Sequence, residues 1–93
     1  MAKLNFKEFR MPLDIAHTHS QTGDARESTA NMLYLNVNGI RAHALALKIY
    51  QSTGEEDYSQ EEVDTIVRIA ETYALPAFID GLRDQLKNNQ NNG

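Results

Sequence analysis

The sequence predicts a mainly α fold, a compact bundle of about four short helices with an N-terminal extended arm or edge strand. Three observations carry that reading. Ser59 and Glu62 have the spacing of a capping box, and Val63, Ile66, Val67, Ala70 and Tyr73 follow on one helical stripe. Pro76 ends that helix and suits the first turn of the next, whose stripe is Phe78, Ile79, Leu82 and Leu86. Between Ile40 and Ser52 runs an alanine-rich apolar segment of good helix propensity.

Length and composition fit a single domain. With 93 residues, 41% hydrophobic and 24% charged, the chain has ordinary globular usage and enough apolar surface for one modest core. Residues 1–87 are read as one helical domain, with residues 1–23 as its arm. The run Asn88-Asn89-Gln90-Asn91-Asn92-Gly93 has nothing to bury and is expected to form a disordered tail.

In chain order, Phe9, Met11, Leu13 and Ile15 alternate with Arg10, Pro12 and Asp14, the period of a half-buried strand. Pro12 has no N–H to donate, so an edge strand or extended arm is expected. A lone strand leaves backbone groups unpaired, and its partner is either another segment of this chain or the same segment of a second chain. Residues 16–24 are rich in turn formers and read as a loop. Asp24 followed by Glu27 predicts a helix N-cap, with Ala30, Leu33, Tyr34 and Val37 at helical spacing.

Asn38-Gly39 interrupts the pattern, and the second run stops before Gly54, an expected helix C-cap. Within that run Ile40, Ala44 and Leu47 share one face and Ala42, Leu45 and Ile49 another. A helix apolar on most sides is expected to be central and buried. A hairpin over residues 32–50 competes with this helix pair. Leu33, Leu35 and Val37 before Asn38-Gly39, and Ile40, Ala42 and Ala44 after it, also suit two strands, although alanine is a poor strand former. An α+β domain with that hairpin is the alternative fold. Gly81 should weaken the last helix unless a neighbour packs against it.

Charge is unevenly spread. Residues 1–53 hold six Lys/Arg against four Asp/Glu, whereas residues 54–93 hold three against nine, within a net charge of -4. An acidic second half argues against a phosphate-binding groove there and fits a solvated face that aids solubility. No stretch approaches the ~20 apolar residues of a membrane span, and the first residues lack a signal-peptide core. A cytoplasmic protein without membrane contact is expected.

Chemistry is thinly indicated. The chain has no cysteine, which removes thiol nucleophiles and Cys-ligated zinc. His17-Thr18-His19 would place two imidazoles on one side of an extended segment, with Asp24, Glu27 or His43 to complete a metal site, but the spacing matches no recognised ligand pattern. His43 has an ordinary reading as a hydrogen-bonded core or boundary residue. No serine lies in a nucleophile elbow and no glycine run forms a phosphate loop. Tyr34, Tyr50, Tyr58 and Tyr73 read as core-edge residues. Ile69-Ala70-Glu71-Thr72-Tyr73-Ala74-Leu75 resembles the first helix and turn of a helix-turn-helix. However, Ala74 stands where the turn usually has glycine, and Asp80 and Asp84 beside Arg83 would make an acidic reading helix.

No catalytic residue, cofactor or metal is therefore assigned. The expected function is a small non-enzymatic protein-protein interaction or regulatory module, self-associating or bound to a protein partner. Its candidate residues are Phe9, Met11, Leu13 and Ile15, for strand addition, and the acidic Glu55, Glu56 and Asp57. Glu55, Glu56 and Asp57 also have a structural reading, as carboxylates ahead of a helix start. The alternative is a small helix-turn-helix-like DNA-binding regulator, touching DNA through Lys3, Lys7, Arg10, Arg26 and Arg41; mimicry of nucleic acid by the acidic face is a third possibility.

Overall fold

Eight elements make up the computed structural model, which describes residues 2–91 and side chains as far as Asn88. They are β1 (Ala2–Asn5), β2 (Phe9–Pro12), β3 (Ser20–Gly23), α1 (Arg26–Asn36), α2 (Ile40–Gln51), β4 (Glu55–Tyr58), α3 (Gln60–Tyr73) and α4 (Pro76–Asn91). β1 pairs with β4 and β2 with β3, both antiparallel. The expected four helices are present, but the mainly α reading is corrected by these two small sheets. Neither sheet is the hairpin considered for residues 32–50, because α1 and α2 occupy that stretch.

The N-terminal segment is part of the core rather than an arm. Leu4, Phe6 and Phe9 are buried, and the Phe6 ring stacks on Phe9 at 5.9 Å and meets Tyr58 edge-on at 5.8 Å. Phe9 in turn stacks on Phe78 at 4.7 Å, so one chain of rings joins β2, β4 and α4. Burial pushes the Tyr58 phenol up to about 12, with the carboxylates of Glu56 and Glu62 adding to the shift.

β2 ends at Pro12, not Ile15, and finds its partner in its own chain. The Leu13 N–H donates to the His19 carbonyl at 2.9 Å, closing the hairpin. Antiparallel bonds alternate, so Pro12, opposite Ser20, falls at a position that needs no donor. Ser20–Gly23, expected as loop, becomes β3 through this pairing. Likewise Glu55, Glu56 and Asp57 do not precede the helix as loose carboxylates; they form β4, with Lys3 opposite Asp57 across the ladder. Side chains cover the outer edges of this sheet. The Gln85 amide exchanges hydrogen bonds with the Asn5 backbone at 2.8 and 3.1 Å, and Lys48 Nζ donates to the Asp57 carbonyl at 2.6 Å.

Helix boundaries follow local chemistry with two corrections. Ala25, not Asp24, holds the α1 N-cap position; Asp24 accepts from the Arg26 N–H at 3.0 Å and from its guanidinium at 2.7 Å. α2 ends with Ser52 as C-cap rather than at Gly54, and Arg26 donates to the Ser52 carbonyl at 2.6 Å, tying the start of α1 to the end of α2. Gly39 takes φ +106° between the two helices, a conformation that favours glycine. The capping box of α3 is formed in both directions: Glu62 N–H to Ser59 Oγ at 3.2 Å and Ser59 N–H to the Glu62 carboxylate at 2.8 Å. Gly81 does have its neighbour, since a Cβ there would lie 2.5 Å from the Arg10 carbonyl oxygen and 2.9 Å from the Phe9 ring. Of the tail expected over residues 88–93, α4 runs through Asn91, and Asn92 and Gly93 lie outside the described residues.

Candidate protein-docking face

The helix expected to be central and buried is buried on one side only. Ala42, Leu45, Ala46 and Ile49 of α2 face the core and pack largely against α1. Its second stripe, Ile40, His43, Leu47 and Tyr50, points outward, with Ile40 86%, Leu47 42% and Tyr50 56% exposed. Spacings of three, four and three residues keep these side chains on one face of the helix. Beside them on α1 stands exposed Tyr34, whose ring lies 5.8 Å from that of His43. The two helices enclose a shallow hollow of about 220 Å³ floored by Ala30 and Ala46 and rimmed by Tyr34, His43, Leu47 and Tyr50.

Charge surrounds this face without entering it. At the Tyr50 end, the Arg26 side chain and N–H hold the Asp24 carboxyl down at about 2, and Asp24 in return raises the Arg26 guanidinium above its ordinary value. On the opposite flank of α2, Arg41 reaches Glu61 at 3.0 Å and Lys48 reaches Glu62 at 3.0 Å, spanning a groove of about 600 Å³. Desolvation pushes the Glu62 carboxyl upward, but the Ser59 N–H and Lys48 together hold it below its ordinary value.

The residues chosen from sequence are dispersed. Phe9 is buried and Met11 half-buried, so neither is free to add a strand to another chain. Leu13 and Ile15 are exposed at the hairpin tip, Ile15 completely, beside a hollow of about 230 Å³ shared with Pro12, Pro76 and Asp80. Asp14 organises that tip. It accepts from the hydroxyl and N–H of Thr18 and from the His19 N–H, and the Thr18 hydroxyl is the main reason its carboxyl is depressed. Glu55, Glu56 and Asp57 lie on the other sheet.

His17, at φ +58°, reaches Asp80 on α4 at 3.2 Å, while His19 meets the Thr18 hydroxyl at 3.0 Å. The two imidazoles thus serve separate partners, and among the described residues no three His, Asp or Glu gather as a metal-binding group. Nor does any helix among the described residues have the length and apolarity to cross a membrane. Sequence reading missed Tyr34, Leu47 and Tyr50 as surface. For Leu47 and Tyr50 the signal was the doubled apolar pattern of α2, taken there as a sign of burial all round; Tyr34 was read as an apolar position of α1. No protein-family model, curated protein or solved structure matches this chain.

Proposed function

We propose that this chain is a non-enzymatic protein-interaction module that docks through the outward face of α1 and α2. The observation that carries this is the second apolar stripe of α2: Ile40, Leu47 and Tyr50 remain exposed after folding. Exposed apolar side chains gathered on one face mark interaction sites, whereas scattered single ones need no explanation. Tyrosine at the rim suits an interface, since it adds a large rigid surface with a polar end.

The DNA-binding alternative draws less support. Arg10, Arg26 and Arg41 are engaged with Ser20, Asp24 and Glu61 within the chain. In the segment that resembles a helix-turn-helix, Arg83 is tied to Glu71 at 3.2 Å.

A photo-crosslinking phenylalanine analogue placed at position 47, illuminated in the native cell, tests the proposal. A discrete protein adduct is expected there and none from the same probe at position 64, on the polar side of α3. No adduct at position 47, or the same adducts from both positions, would overturn it.

A further inference from the structure

We infer that Asn38 is a site of spontaneous covalent modification, converted to aspartate and isoaspartate when the Gly39 backbone nitrogen attacks the Asn38 side-chain amide. The site is the link between α1 and α2 and is independent of the docking face proposed above. Asparagine is among the thermolabile residues of proteins. In a folded chain the reaction needs an uncommitted N–H on the following residue, a side-chain amide free to turn toward it, and room for the five-membered ring that the two close.

Two asparagines two residues apart show how the fold grants or withholds these conditions. The Asn36 amide donates to the Met32 carbonyl at 2.8 Å, and the N–H that would attack it, that of Val37, donates to the Leu33 carbonyl at 3.0 Å. The branched Val37 side chain restricts the same approach. Asn38 is exposed between the helices, and among the described residues neither its side chain nor the Gly39 N–H has a hydrogen-bond partner. Gly39 holds the N-cap position of α2, where backbone N–H groups find no acceptor within the helix. A Cβ added at Gly39 would have no atom within 4 Å, so neither the ring nor incoming water is obstructed. Elsewhere, Asn5 is held by the Glu8 N–H at 2.9 Å, and Asn31 lies inside α1, where the following N–H is bonded to the preceding turn.

The Gly39 nitrogen gives its proton to water and bonds to the Asn38 amide carbon, and the bond from that carbon to its NH2 group breaks, so that ammonia leaves and a succinimide remains. Water then opens one of the two imide C–N bonds. Cleavage at the main-chain carbonyl gives isoaspartate, with the backbone running through the former side chain; cleavage at the side-chain carbonyl gives aspartate. Either way the chain gains one negative charge beyond its -4. α2 has no acidic residue in its first turn and no side-chain cap, so a carboxylate at position 38 lies at the positive end of the helix. It also shares the α2–α3 groove with Arg41.

The purified full chain, held for days at body temperature and mildly alkaline pH, tests this by peptide mapping. Cleavage after Lys and Arg places Asn31, Asn36 and Asn38 in one peptide, residues 27–41, and the second Asn-Gly pair, Asn92-Gly93, in another, so mass spectrometry reads them separately. The expected result is replacement of NH2 by OH at position 38, divided between aspartate and isoaspartate, while Asn31 and Asn36 keep their amides. Its rate should be close to that at the same position in the chain unfolded by guanidinium chloride. Asn38→Gln, which must close a larger ring, should lose the signal. An amide at position 38 that outlasts the unfolded chain's severalfold, or loss at Asn36 as fast as at Asn38, would overturn the inference. Asn38→Asp, which carries the aspartate product from the start, should melt above the parent; a lower melting temperature would overturn the placing of the new charge at the start of α2.

Discussion

Helices α2 and α3 are of similar length and belong to the same domain, yet they relate to water in opposite ways. α3 buries Val63, Ile66, Ile69 and Ala70 and turns Glu61, Asp64, Arg68 and Glu71 to solvent, as a surface helix of a globular protein does. α2 buries an equally regular stripe but turns Ile40, Leu47 and Tyr50 outward. The second stripe adds less to the fold, since Ile40 is almost wholly exposed and Leu47 and Tyr50 are only partly covered. The folding of this domain therefore accounts for one side of α2 and leaves the other to be explained by contact.

That contrast is tested most sharply by deleting bulk from each stripe. Ile66→Ala opens a cavity in a fully buried site and is expected to lower unfolding free energy by about 3 kcal/mol in urea denaturation. Leu47→Gln should change it by no more than about 0.5 kcal/mol. A loss at Leu47 comparable to that at Ile66 would show that the outward stripe belongs to the core after all.

A smaller effect concerns how α4 closes on the N-terminal strands. Alanine at position 81 should gain about 1 kcal/mol of helix propensity, but its Cβ would meet the Arg10 carbonyl and the Phe9 ring. Backbone cannot step aside as a flexible side-chain tip can. Gly81→Ala is therefore expected to be net destabilising by about 1–2 kcal/mol, and a gain in melting temperature would mean that α4 and β2 are not in close contact.

The smallest effect compares the two helix starts. Asp24 has its folded-state pKa at about 2, below the ordinary 3.8, because the Arg26 side chain and N–H favour the carboxylate. A depressed carboxyl contributes stability that is complete above its unfolded value and is lost as pH falls through the folded one. The wild-type melting temperature should thus fall between about pH 4 and pH 2 by more than that of Asp24→Asn. Parallel slopes would show that the Asp24–Arg26 pair does not anchor α1.

Legibility in the sequence tracked how local the controlling interaction is. The capping box at Ser59 and Glu62 and the stop at Pro76 involve residues a few positions apart, and α3 and the start of α4 were readable from them. The strands were not. β1 and β4 are four residues each and pair across fifty or more positions, and neither Ala2–Asn5 nor the acidic Glu55–Tyr58 has a composition that announces a strand. The hairpin of β2 and β3 was half visible: the alternation at Phe9 and Met11 was seen, but not that Ser20–Gly23 would satisfy it. For the docking face the residues were in view and their exposure was not. The same pattern of Ile40, Leu47 and Tyr50 describes a helix wrapped on both sides and one wrapped on a single side.

Neighbouring residues and composition were enough to read the helices from Ser59 to about Lys87, the start of α3, and the absence of cysteine and of a phosphate-loop motif, but left residues 32–50 open between helices and a hairpin. Long-range packing is what makes Leu4, Phe6 and Phe9 core, requires glycine at position 81 where β2 approaches, and leaves one stripe of α2 largely in water. Burial depends on what the rest of the chain brings to a surface, and α1 covers one side of α2 while leaving Ile40, Leu47 and Tyr50 on the other largely exposed.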